Sequence, residues 1–161
     1  MKVLVGIPEE KSGRKKGSVS NAQLMYIHTH GSEVQGIPPR PVIEPAIEAK
    51  GNKEQITEEL AASARALMDG DSAGGKRHLS AAGMIGQNVA RDWFEDPRNG
   101  WAPNTLETAK RKLNKLTGKN KQRLNDQISA GKSMTNADVS RPLIDTGQLR
   151  KSISYVVEVG K

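Results

Sequence analysis

The chain has 161 residues, a formal net charge of +7, 35% hydrophobic residues and no cysteine. That length suits one domain, and the absence of thiols excludes disulfides, zinc–thiolate sites and thiol catalysis while fitting a reducing compartment. No apolar run reaches the roughly 18–20 residues of a membrane span, and "MKVLVGIPEE" is too short for a signal-peptide core, so a soluble protein without membrane contact is expected.

The charge excess is local. Residues 110–132 hold eight Lys/Arg (Lys110, Arg111, Lys112, Lys115, Lys119, Lys121, Arg123, Lys132) against one acid, Asp126. The rest of the chain therefore sums to zero, and the basicity belongs to one segment rather than to the whole fold.

"KVLVGIP" alternates with Val3, Val5 and Ile7 on one face, which predicts a strand over 2–7 ended by Pro8. A charged Gly/Ser loop follows. "NAQLMYIHTHG" predicts a short helix behind a Ser20 cap, stopping at Gly31, with Leu24, Ile27 and His28 inward. The four prolines of "GSEVQGIPPRPVIEP" predict an extended arm, because each fixes φ and removes a donor. Pro45 suits the first turn of the next helix.

Residues 45–69 place Ile47, Ile56, Leu60, Ala64 and Leu67 near helical spacing, with a break at Gly51-Asn52 and a restart capped by Asn52 and Gln55. "GDSAGG" (70–75) reads as a linker. A second helix over 76–95 carries Leu79, Ala82, Ile85, Val89 and Trp93 on one face. After a turn-rich loop, Asn104 or Thr105 caps a third helix, "LETAKRKLNKL". Residues 117–140 are polar, with isolated Leu124 and Ile128, and read as a flexible, exposed insertion holding at most one weak helix. The β-branched run at 152–159 predicts a last strand, paired with 2–7 because a lone strand is unstable. The expected class is α+β in one domain over 1–161: a small antiparallel sheet of the N- and C-terminal strands, packed against two or three helices.

Two chemical readings fail on spacing. Asp145-Thr146-Gly147 is the aspartic-protease triplet, but that chemistry needs two such carboxylates sharing a proton and a long β-rich stretch after the triplet. Only fourteen residues follow Gly147. The bland alternative is a cap, from Asp145 or Thr146, on a short helix "GQLRK". His28 and His30, with Glu33 nearby, form a sparse metal set, and i and i+2 point apart on a helix. No enzyme and no cofactor are expected.

Three stretches in order, "IHTHGSEVQGIPPRPVIEPAIEAK" (27–50), "WAPNTLETAKRK" (101–112) and "RPLIDTGQLRKSISYVVE" (141–158), resemble neck or tail-completion proteins of tailed bacteriophages. These belong among head–tail connector and minor tail proteins. The resemblance covers most of the chain except 113–140. Thr29-His30-Gly31 stands where relatives carry an acidic-aromatic-Gly triplet, and Val42 where they carry an aromatic. It implies a structural virion protein, assembled in the host cytoplasm, that forms a homo-oligomeric ring of six between the connector and the tail. Its partners would be further copies of itself and the neighbouring connector, head-completion, tail-tube or tail-terminator proteins.

The structural or interface candidates are Gly31, Pro39, Arg40, Pro41, Trp101, Asp145, Thr146, Gly147 and Arg150. Arg40, framed by prolines, reads either as an interface anchor or as one half of an internal ion pair with a helix carboxylate. Trp101 reads as a core cover or an interface aromatic. The alternative function is that of a basic, non-sequence-specific nucleic-acid-binding protein. Its candidate phosphate contacts are Lys110, Arg111, Lys112, Lys115, Lys119, Lys121 and Arg123. The segment holds no aromatic residue, which argues against base stacking.

Overall fold

Alternating β-branched residues at the two ends of the chain find one another. In the computed structural model, which describes residues 1–14, 19–131 and 140–159, β1 (Lys2–Gly6) pairs antiparallel with β2 (Ser154–Glu158). The register sets Val3 opposite Val157, Leu4 opposite Val156 and Val5 opposite Tyr155. Because successive side chains alternate faces, Val3, Val5, Tyr155 and Val157 are half-buried while Leu4 and Val156 are exposed.

Between the strands lie α1 (Glu9–Ser12), α2 (Asn21–His30), α3 (Ile43–Glu48), α4 (Asn52–Met68), α5 (Ser72–Asp92), a 3₁₀ turn (Pro97–Asn99), α6 (Leu106–Leu113), α7 (Gly118–Ser129) and α8 (Gln148–Ser152). The α+β class and the pairing of the terminal strands are as the sequence predicts. The helices are more numerous than the two or three expected, because α1, α3 and α8 are short pieces of four to six residues.

The start of α2 follows its capping box. Ser20 Oγ accepts from the Gln23 N–H at 3.1 Å, and the Ser20 N–H donates to Gln23 Oε1 at 2.9 Å. Gly31 ends the helix at φ +74°, donating to the Ile27 carbonyl at 2.7 Å. A Cβ there would stand 2.7 Å from the Ile37 carbonyl oxygen, so the following hairpin closes only over glycine. Asn21 and Met25 are the residues of α2 that are buried outright, with Leu24, Ile27 and His28 half-buried beside them.

Two sequence boundaries are corrected. The restart at Gly51-Asn52 does not use the Asn52/Gln55 pair. The Gly51 N–H donates to the Glu54 carboxylate, while Asn52 Nδ2 reaches back to the Ala46 carbonyl at 2.8 Å. Residues 72–75, read as linker, are instead the first turn of α5, with Asp71 capping Gly74 N–H at 2.7 Å. Glycine there marks close approach rather than flexibility: a Cβ on Gly75 would meet Leu67 of α4 at 2.6 Å. The same holds further along α5, where a Cβ on Gly83 would meet the Tyr155 ring at 2.4 Å and Val3 at 2.7 Å, and one on Gly86 would meet Val5 at 2.9 Å. The sheet thus lies in a groove cut by glycines into α5.

The main core gathers Met25, Val42, Ala46, Ala90, Trp93, Phe94, Trp101, Leu149 and Ile153. Phe94 is fully buried with its ring edge-on to Trp101, 5.8 Å between centroids at 87°. Arg91 clamps the joint between α8 and β2, donating Nε and Nη2 to the Ile153 carbonyl at 3.1 and 2.7 Å.

A second, smaller cluster lies apart. Ala109 of α6 and Leu124 of α7 are fully buried against each other's helices, flanked by Leu113, Leu116 and Ile128. The described part of the expected insertion, 117–131, is exposed apart from Leu124, Gln127 and Ile128 and holds the single helix α7, but Leu124 and Ile128 are not isolated. Leu124 and Ile128 sit one turn apart on one face, which is what an apolar partner on α6 requires. Residues 132–139 of the expected insertion, Lys132 included, lie outside the described residues.

Candidate functional site

The three stretches that carry the family resemblance converge in space. Arg40 is buried and donates Nε and Nη2 to the Ala102 carbonyl at 3.3 and 2.9 Å, with a longer contact to the Pro103 carbonyl at 3.4 Å. Trp101 returns the tie, donating Nε1 to the Pro41 carbonyl at 3.1 Å. Asn104 Nδ2 donates to the Ser140 carbonyl at 2.6 Å. Trp101 is therefore a core residue. Of the two readings of Arg40, the ion pair with a helix carboxylate does not form, because its donors go to neutral carbonyls. Pro39 and Pro41 hold the chain extended on either side, and the Arg40 N–H donates to the carbonyl of His28 at 2.5 Å.

Above this junction opens a cleft of about 630 Å³. One wall comes from Arg14 and from Leu24 and His28 of α2, and the floor from Ile37, Pro38 and Arg40. The other wall is Asn104 to Lys112, and residues 143–149 close the end. The Asp-Thr-Gly triplet belongs to that closure. Asp145 is not a cap: its carboxylate pairs with Lys115 Nζ at 2.7 Å. Gly147, at φ +72°, occupies the cap position of α8, so Asp145 lies two residues too early to cover the first turn. Thr146 Oγ1 accepts only a long bond from the Gln148 N–H at 3.4 Å. Among the described residues no second aspartate stands beside Asp145 as a protease dyad would need.

Lys112 is turned inward from α6. Its ammonium donates to the Ile144 carbonyl at 2.7 Å and to the Arg141 carbonyl. These two carbonyls bracket Leu143, which stands at φ +58° in the left-handed region that β-carbons disfavour. Lys112 thus braces a strained turn. Its pKa is lowered to about 8, mainly by burial and further by Arg40, Lys115 and Arg111, while Asp145 opposes the shift.

His28 is the second perturbed base. Burial is the first cause, with the Arg40 and Arg14 charges adding to it, and its pKa falls to about 4. At neutral pH the imidazole is uncharged, and its Nδ1 is buried without a hydrogen-bond partner. Arg14 Nε is likewise buried and unpartnered. His30 sits elsewhere, its Nδ1 bonded to the Tyr26 carbonyl at 2.9 Å and its ring 4.2 Å from that of Tyr26. The two histidines therefore serve separate surroundings.

Of the basic candidates, Lys112 and Lys115 are committed to internal partners. Arg111 lines the cleft, and Lys110, Lys119, Lys121 and Arg123 are exposed on α6 and α7. Arg150 bridges Asp92 at 3.2 Å and Glu95 at 3.4 Å, a structural pairing that ties α8 to the end of α5. Sequence reasoning had no means of finding Arg14 or Asn104 as part of one cleft. They come from separate elements, and no spacing links them.

Among the described residues no helix is long and apolar enough to cross a membrane. Compared with protein families, curated proteins and solved structures, the chain matches none.

Proposed function

We propose that the chain is a structural virion protein of the phage neck or tail-completion type, forming a homo-oligomeric ring that joins the head–tail connector to the tail. The observation that carries this reading is the terminal sheet. With two strands, β1 and β2 each keep an outer edge free of any third strand among the described residues. The face turned away from α5 sets exposed Leu4 against exposed Val156. Free edges and an outward apolar pair are what a neighbouring subunit uses when a sheet continues across an interface, and repeated head-to-tail contacts whose rotation closes make a ring. The mutual hydrogen bonding of 39–41, 101–104 and 140–144 supports the family resemblance further, since it makes one structural unit of its three stretches.

The test is oligomeric state and location. Light scattering and electron microscopy of the purified chain should show rings. Leu4→Glu combined with Val156→Glu should yield folded monomers with an intact melting transition, and purified virions should contain the protein. A protein absent from virions defeats the proposal.

One observation favours the second reading, non-sequence-specific nucleic-acid binding: Lys110, Arg111, Lys119, Lys121 and Arg123 are all exposed on the α6–α7 pair. Duplex affinity falling steeply with salt, with no preference for sequence, would be its signature.

A further inference from the structure

We propose that the cleft between α2, α6 and the 143–149 turn is a binding site for a phosphate-class oxyanion, with Arg14, Arg40, Arg111 and Lys112 as its cationic lining. The site belongs to each copy of the chain and does not depend on the ring.

Four side chains that carry positive charge line this one cleft, drawn from the segment before α2, the proline arm and α6. The acids that line it are Glu107 and Asp145, and Asp145 is already neutralised by Lys115 at 2.7 Å. Four cations against Glu107 and an already paired Asp145 leave a surplus of positive charge in the cleft. Like charges gathered around a partly buried space repel, and the depressed pKa values of Lys112 and His28 register that repulsion together with burial. An anion in the cleft relieves both.

The hydrogen-bonding inventory points the same way. Arg40 uses Nε and Nη2 on carbonyls, and among the described residues Nη1 makes no bond. Arg14 Nε and His28 Nδ1 are buried without partners in a fold where such groups are normally satisfied. Asn104, Thr105, Thr108 and Thr146 add neutral polar groups to the walls. The guanidinium forks of Arg14 and Arg111, with Nη1 of Arg40 beside them, supply more donors and more charge than one carboxylate needs, and they match the several oxygens of a phosphate. No Phe, Tyr or Trp lines the cleft, so it offers nothing for a base to stack on. It would read the phosphate rather than what the phosphate is attached to.

Calorimetric titration of the full chain with inorganic phosphate at fixed ionic strength tests this. Saturable one-to-one binding is expected. Arg111→Gln and Arg14→Gln should each weaken it by about tenfold, the scale of one lost charge-assisted bond. Glu107→Gln should tighten it, and Lys119→Gln, outside the cleft, should leave it unchanged. Melting curves establish that each variant is folded, and Arg40 is left intact because its carbonyl bonds tie the arm to the 101–104 loop. A second arm adds an oligothymidylate with unphosphorylated ends. Competition with phosphate assigns the source to a nucleic-acid backbone, and no competition assigns it to a small phosphorylated ligand; both support the site. Absence of saturable binding overturns the proposal, as does equal weakening by Lys119→Gln, which would mean diffuse surface charge. Tighter binding of an oligoglutamate peptide than of phosphate overturns the assignment of the ligand.

Discussion

The α4–α5–sheet body and the α6–α7 arm bury their apolar surface by different means. In the body, shape decides: glycines 75, 83 and 86 on α5 remove the β-carbons that would collide with Leu67, Tyr155, Val3 and Val5. In the arm the fully buried apolar residues are only Ala109 and Leu124, and position is set by polar ties. These are Lys112 to the carbonyls of Arg141 and Ile144, Asn104 to Ser140, and Lys115 to Asp145. Close packing tolerates little change in volume, whereas exposed ion pairs contribute little to stability. The body should therefore behave as one cooperative unit and the arm as a separable one.

The largest effect that can break this comparison is Phe94→Ala. Phe94 is packed on every side, being 0% accessible with its ring edge-on to Trp101. Removing it should cost about 3–5 kcal/mol and lower the global melting transition. Leu124 is also 0% accessible, and Leu124→Ala should cost about 2–5 kcal/mol by the same reasoning. That loss should appear locally, as faster amide hydrogen exchange across α6 and α7 with the protection of α5 unchanged. If Leu124→Ala lowers protection in α5 as much as in α7, the two regions are one unit and the comparison fails.

A smaller effect sharpens the account of the body. Gly83→Ala raises helix propensity, which alone favours the folded state by about 1 kcal/mol. The added methyl must nonetheless displace the Tyr155 ring and Val3, and overpacking typically costs about 1–3 kcal/mol. The net expectation is a destabilised protein, read from denaturant midpoints. Stabilisation would show that the sheet can slide away from α5 and that the groove is not a fitted contact.

The same contrast explains what was legible in the sequence. Local chemistry was: the Ser20 cap with its stop at Gly31, the Thr105 cap, and the strand alternation at both ends all form as read. Glycine was the first obstacle, since "GDSAGG" carries identical letters whether it loosens a linker or lets two helices touch. Only the partner, Leu67, decides. Leu124 looked isolated because its partner Ala109 is fifteen positions earlier, on another helix. The cleft was the least legible. Arg14, His28, Arg40 and Arg111 follow no common period, and the charge count over 110–132 placed the excess without revealing that Lys112 turns inward. Asp145 was misassigned for a related reason: its carboxylate chose the distant Lys115 over the helix start beside it.

The last effect concerns pH, and it joins the cleft to stability. His28 holds a folded pKa of about 4 against an ordinary 6.5, lowered by burial first and then by Arg40 and Arg14. Between those values the unfolded chain binds more protons than the folded one, so stability rises as pH increases from 4 to 6.5. Lys112, at about 8 against 10.5, gives a second rise between pH 8 and 10.5, with burial the leading cause and Asp145 acting against it. His28→Leu should remove the first rise, and Lys112→Met the second, while Lys112→Met also forfeits its carbonyl bonds at every pH. The measurement is the pH dependence of the denaturant midpoint for each variant relative to the parent chain. Sulfate stays doubly charged across the acid window, so it provides the link to the cleft. An anion held beside Arg14 and Arg40 offsets their charges and draws the pKa of His28 back up. With saturating sulfate the parent's acid-side slope should shrink toward that of His28→Leu. An acid slope that sulfate leaves untouched would mean that burial alone sets the imidazole's pKa, and that no anion sits near it.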